Sequence, residues 1–468
     1  MRSAPRFSFL FLCLPFVLGL TAASYAQTND PEAVAAIARS QPAFTAQTPS
    51  DVTLAQPGQM TVSSSTIFDF ATGGVVGASA GTINTNAGRH DDGNDDDLVN
   101  GNVRHTPKGG NIDGLDTVAT FGGSFAAQAG PSQGQVFKFT MVGNHPLAGG
   151  TTVVPARMSF VSLQLLNADG STFKNVPFGP FEQLMLESPN FEPLNYRSGR
   201  NIEFGDAVHR AQFFNRMGQD WHTVLVPHVK NRVTITVPRF VNVRLADGTV
   251  VQARSYFTGT AADGSTFVLM LDLLFNFFFD NEVVNEITLG NFTTKSMNLT
   301  LFPNTFLFSL NLSNPNTPGS CCVLGFHTYF LDSSTIPQPR WVSQYVSWIS
   351  PGLFGAGFQD VTALSHELAE SFANPFIDNA APIWQFPGQP ANSKVCQNNL
   401  EEGDPIEVLA NATTPITVKE GPFNFTYHPQ NIPLLQWFEM GATSNAIDGA
   451  FSFPDETVLP NSAVPCPQ

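Results

Sequence analysis

Residues 361–375 read V-T-A-L-S-H-E-L-A-E-S-F-A-N-P, and this stretch decides how the rest of the chain is read. Leu364, Leu368 and Phe372 recur every four residues, which puts them on one stripe of an α-helix. Asp360 is placed to cap its start, and Asn374-Pro375 to end it. His366 and Glu370 are also four apart, so they share a face and can converge on one ion. Glu367 is placed to reach a water on that ion. The pattern is that of the H-E-x-x-H zinc helix, with glutamate in place of the second histidine. Acids beside a histidine also decorate solvated helix faces, so the helix alone does not establish a metal.

The segments on either side add candidate groups. Ahead of the helix, C-C-V-L-G-F-H-T-Y-F at 321–330 reads as a strand, and its two-residue period puts Gly325, His327 and Tyr329 on one face. After the helix the chain is rich in Pro and Asn until C-Q-N-N-L-E-E-G-D-P at 396–405. The remainder is irregular, with Trp384 and Trp437 expected in the core or at its rim.

Upstream, residues 133–312 read mostly as strands. Residues 136–142 alternate, and A-D-G-S/T at 168–171, 246–249 and 262–265 are hairpin turns. These turns have no fixed period, so no repeat array is expected. Residues 232–237, 240–245 and 250–257 suggest a meander, and 205–216 a helix with Ala207, Ala211 and Phe214 on one side. Residues 270–279 are apolar but short and interrupted by Asp272, which predicts a buried strand and no membrane span. The acidic run at 91–97 begins like a calcium loop with Asp92, Asn94 and Asp96. It fails the EF-hand pattern at Asp97 and Val103 and reads as a solvated loop.

The chain opens like a secretory signal, with Arg2 and Arg6 before an apolar run at 7–20 and Ser24-Tyr25-Ala26 at the cleavage point. Residues 27–60 read as a flexible leader with a short helix at 31–39. The formal net charge is −16, more negative once the two arginines leave, which argues against nucleic acid or an anionic membrane as partner. Four cysteines follow the signal, which permits three disulfide pairings. Closure of the adjacent Cys321 and Cys322 on each other is disfavoured, and a bond from one of them to Cys396 would staple the candidate site.

Two resemblances extend this reading. Gly325-Phe326-His327, H-E-L-A-E at 366–370 with Asn374-Pro375, and Glu401-x-Gly403-Asp404 resemble the Exordium-like (phosphate-induced) secreted proteins of plants, over about 320–405. More broadly, residues 191–210, W-H-T-V-L-V-P at 221–227, C-C-V-L-G-F-H, H-E-L-A-E, N-P-F-I-D-N and C-Q-N-N-L-E-E-G-D-P are similar to large secreted bacterial proteins of unknown function, over about 150–455. The resemblance implies a secreted zincin-like protein. It implies Glu401 as third metal ligand, with Glu402 at the variable position and Asp404 a ligand or a ligand's partner.

On that basis zinc is expected on His366, Glu370 and Glu401 at about 2.0–2.2 Å, with a fourth position for water. The ion would bring that water's pKa to about 7, and Glu367 would take its proton as general base. His327 or Tyr329 would steady the oxyanion. One histidine with two carboxylates is a harder set than the usual two-histidine one, which keeps manganese, iron or calcium in play.

The expectation is therefore an α+β secreted protein: signal 1–26, leader 27–60, β-rich region 61–312 and zincin-like half 313–468. The expected function is zinc-dependent hydrolysis of a peptide or protein substrate. The alternative is a non-catalytic extracellular or cell-surface protein that binds a glycan or protein, with a structural metal or none. An open metal position in a cleft favours the first, and a closed site the second.

Overall fold

The structure is a computed structural model. It describes residues 30–39, 43–44, 50–51, 62–63, 65–72, 75–76, 114–196, 201–355, 357–420 and 423–467. The signal and the acidic run at 91–97 lie outside the described residues.

A large mixed sheet organises the chain. Its main path runs through β1 (Thr151–Leu166), β2 (His222–Val237), β3 (Tyr256–Thr260), β4 (Thr266–Leu271), β5 (Met297–Pro303), β6 (Thr305–Leu310), β7 (Pro318–Leu331) and β8 (Gln338–Trp348), with four short strands paired beside it. They lie in the order β2-β1-β5-β8-β7-β6-β4-β3. β2, β1, β5 and β8 run parallel, whereas β8 and β7 pair antiparallel from Gly325↔Val346 to Leu331↔Arg340. The central strands are buried along their length, as strands covered on both faces are.

Among the helices that cover this sheet are α1 (Phe204–Gln212), α2 (Asp272–Thr288) and α3 (Thr362–Ala373). Phe275 of α2 lies 4.3 Å from Tyr345 of β8, and Phe279 lies 5.0 Å from Phe326 of β7, ring centre to ring centre. The neighbouring residues Gly325, His327 and Gln344 point the other way and meet α3. Strand alternation thus puts α2 and α3 on opposite faces of the sheet. α3 also packs on α1 and on the strand Val136–Val142.

This architecture corrects the expected fold class. The molecule is β-rich, with strand residues outnumbering helical ones about two to one, and no zincin-like helical half exists at 313–468. That region supplies β7 and β8 and the hairpins Ala380–Gln385 with Cys396–Asn399 and Ile416–Glu420 with Phe423–Tyr427. A metal-type helix signature specifies one helix face and leaves open the architecture that carries it.

Other expectations fare variously. Residues 270–279 finish β4 and then start α2, because a short apolar run does not separate a buried strand from a buried helix. The helix at Pro31–Arg39, the strand Val136–Val142 and the three A-D-G turns form as expected. Of the meander, only Phe240–Arg244 and Val250–Arg254 pair; β2 lies along β1, separated from Phe240 by Pro238. Asp360 does not cap α3. It has φ +46°, and its carboxylate accepts from the backbone N–H groups of Val361 and His428.

The disulfide expectation is also corrected. Cys321 is bonded to Cys322, and Cys396 to Cys466. The chain end runs beside the Ala380–Gln385 hairpin, with Cys466 N–H donating to Ile383 O at 3.0 Å, so Cys466 is the thiol that reaches Cys396. Trp384 and Trp437 pack edge to face at 5.4 Å in the core. Among the described residues, no helix is long and apolar enough to cross a membrane.

Candidate metal centre

Three segments converge between the sheet and α3: His327 on β7; His366, Glu367 and Glu370 on α3; and the loop Glu401–Asp404. The apolar stripe Leu364, Leu368 and Phe372 is buried, as the four-residue spacing requires. The polar residues of α3 are buried as well: His366 and Glu367 are 0 % exposed and Glu370 is 1 %. A solvated helix face is therefore not what this sequence builds.

Two glycines make the convergence possible. A Cβ on Gly325 would lie 2.7 Å from Glu367 Oε1, so its absence lets α3 approach β7. A Cβ on Gly403 would lie 2.4–2.5 Å from the His366 ring atoms, so the loop closes on that histidine only with glycine there.

Glu370 stands in the middle. Its Oε1 lies 3.1 Å from His366 Nε2 and accepts from the Gly403 N–H at 3.1 Å. Its Oε2 lies 3.3 Å from His327 Nδ1. Glu401, expected beside His366, instead lies on the His327 side, with Oε2 at 3.6 Å from His327 Nε2. Asp404 Oδ1 is 3.6 Å from His366 Nε2, and Glu367 Oε2 is 3.5 Å from His327 Nδ1. His327, expected as an oxyanion group, thus belongs among the carboxylates. Tyr329 packs instead against Phe376 and the Arg340 guanidinium.

Partners that the sequence did not suggest hold these groups. Gln430 Oε1 faces His366 Nδ1 at 3.1 Å, while its Nε2 donates to Gly403 O at 2.6 Å. Asn374, read only as a helix stop, donates to Glu401 Oε1 at 2.9 Å. Gln397 donates to Asp404, and Gln212 of α1 to Glu402. Gln430 follows a proline in an irregular segment, where no spacing marks it.

Burial dominates the electrostatics. It pushes the Glu367 carboxyl up to about 7 and that of Glu401 up to about 8, and it raises Glu402 and Asp404 well above the carboxylate range. Burial opposes charge on the histidines, yet the surrounding carboxylates prevail. Glu401 above all raises His327 well beyond its usual value, and Glu370 brings His366 up to about 9. Burial also opposes charge on Glu370, but His366 and His327 hold it far below the ordinary range.

Both nitrogens of His327, both oxygens of Glu367 and Oε2 of Glu401 have no hydrogen-bond partner. A buried polar atom left so costs about 1–3 kcal/mol. Among the described residues, two groups could hold a metal ion, His327–Glu370–Glu401 and His366–Glu367–Glu370, each with ligand atoms within 4.8 Å of one another. The donor chemistry fits a divalent cation, and every group in it is shut away from solvent. Comparison of the chain with protein-family models, with curated proteins and with solved structures found no match.

Proposed function

We propose that this chain is a secreted metalloprotein in which the buried cluster holds divalent metal, zinc on its histidine and carboxylate donors. The metal ties β7, α3 and the 401–404 loop together, and the protein acts outside the cell by binding a glycan or protein partner. The observation that carries this is the spacing of the cluster. Opposite charges that pair directly sit about 2.7–2.9 Å apart. The ordinary pairs of this molecule, His222 with Asp206 and His428 with Asp360, are both at 2.7 Å. The histidine–carboxylate distances of the cluster are 3.1–3.6 Å, with unpartnered atoms between them. Donors held at that separation within each group suit an ion better than they suit each other.

Metal content tests the proposal. Purified protein should carry at least one divalent ion per chain, and Glu370→Gln, which changes the residue common to both ligand groups, should lose it. Chelation should lower the melting temperature of the wild type and leave the variant unchanged. Absence of any divalent metal from the wild type, with no response to added zinc, would refute it.

A second reading is favoured by Glu367 alone. Its two oxygens have no hydrogen-bond partner, as suits a general base that takes a proton from metal-bound water during peptide-bond hydrolysis. That reading requires the centre to open to substrate. Glu367→Gln would then abolish hydrolysis of a peptide library without lowering metal content.

A further inference from the structure

Resting on the metal reading just given, we infer that the centre is binuclear, with Glu370 bridging two divalent cations. One is held by His327 and Glu401, the other by His366 with Glu367 and Asp404.

The geometry divides the donors around Glu370. Its two oxygens face different histidines, Oε1 toward His366 Nε2 at 3.1 Å and Oε2 toward His327 Nδ1 at 3.3 Å. Each histidine has a further carboxylate on its own side: Glu401 for His327 at 3.6 Å, and Asp404 for His366 at 3.6 Å. The two candidate ligand groups, His327–Glu370–Glu401 and His366–Glu367–Glu370, have only Glu370 in common. A carboxylate with one metal on each oxygen is how two-metal sites hold ions about 3.5–4 Å apart.

Donor number points the same way. Two histidines and four carboxylates exceed the four ligands of a tetrahedral zinc site, whereas each half offers about three, the number of protein ligands at an open metal position. A pair of histidines with four carboxylates is also the donor complement of carboxylate-bridged di-iron and di-manganese centres. Charge gives an independent argument. Metal-bound carboxylates are ionised, so Glu367, Glu370, Glu401 and Asp404 bring four negative charges into a site no more than 5 % exposed. Two divalent cations neutralise them, and one leaves two charges uncompensated where solvent cannot reach.

The test is the metal-to-chain ratio of the full-length secreted protein, freed of metal and dialysed against excess manganese(II), with a parallel zinc(II) titration. The expected result is two ions per chain, with an exchange-coupled dimanganese signal in the electron paramagnetic resonance spectrum. His327→Ala and His366→Ala should each retain one ion and lose the coupling. Circular dichroism confirms that each variant is folded, and the coupling in the wild type needs no variant at all. One ion per chain and an uncoupled signal in the wild type would overturn the binuclear assignment and leave the metal reading standing. No bound ion would overturn both.

Discussion

Gly325→Ala probes a close approach of the sheet to α3. The added methyl would sit 2.7 Å from Glu367 Oε1, 3.0 Å from Glu367 Cγ and 3.1 Å from the backbone oxygen of Tyr345. The Tyr345 carbonyl belongs to β8, paired with β7 at the sheet centre, so it has little freedom to give. Glu367 must therefore move, inside a region where it is 0 % exposed. Forcing one extra methyl into such a site costs about 1–3 kcal/mol. Denaturant unfolding should show a lower midpoint with an unchanged slope, because the surface exposed on unfolding is the same. Gly179→Ala is the control, since a Cβ there meets nothing within 4 Å, and it should change stability by less than about 1 kcal/mol. A Gly325→Ala protein as stable as wild type, with undiminished metal content, would refute the close packing of α3 on β7.

Three further outcomes follow from the same geometry. Gln430→Ala removes the group that faces His366 Nδ1 and ties it to Gly403, so metal affinity should fall by about 10–100-fold in a competition titration. Glu402→Gln keeps the hydrogen bond from Gln212 within reach and removes a carboxyl that burial holds well above its usual range; it should leave metal content unchanged and stability equal or higher. His209 is buried among Phe121, Phe213, Trp221 and Phe372 with neither nitrogen hydrogen-bonded, and burial brings it down to about 3. A histidine held neutral in the fold but ionising near 6.5 when unfolded contributes stability above pH 6.5 that is lost as pH falls. The loss is about 1.4 kcal/mol per pH unit. His209→Phe should flatten the stability profile between about pH 6 and 4, and an identical slope in both proteins would exclude His209 as its source.

What the sequence disclosed was local. The α3 helix follows from the spacing of Leu364, Leu368 and Phe372 and the stop at Asn374, and β7 from the alternation through Gly325, His327 and Tyr329. The A-D-G turns carry their own geometry, because glycine accepts the positive φ that each requires. The sheet order was not legible. β1 pairs with β2 and β5, which are distant in sequence, and parallel pairing leaves no turn between partners to announce it. The helix α2 was hidden for a different reason: it is buried nearly all round, with Asp280, Asn281, Glu282 and Glu286 buried beside the phenylalanines, so it lacks the one-sided apolar stripe by which surface helices are recognised. For the site, the residue types were legible but their grouping was not. Spacing along α3 joins His366 to Glu370, but only the tertiary fold sets Glu401 on the His327 side.

The closure of the centre bears on which function it serves. For a substrate to reach the metal, the 401–404 loop must leave α3. That movement breaks Gly403 N–H to Glu370, Gln430 to Gly403 O, and Asn374 to Glu401, and it strains the link from Gln397 to Asp404. A neutral bond of this kind contributes about 0.5–1.5 kcal/mol and one to a charged group about 1.5–3, so together they oppose opening by several kcal/mol. Bound metal adds its own ligand bonds from Glu401 and Asp404 to that barrier. The loop is tethered further by the Cys396–Cys466 disulfide a few residues upstream. A lid built for turnover is drawn from the weakly held parts of a fold, whereas this loop is held by several buried hydrogen bonds. The same bonds serve a structural ion well, since metal captured as the chain folds stabilises every segment that it joins. On this balance the cluster is built to stay closed, and hydrolysis would need a partner or ligand whose binding offsets the cost of opening.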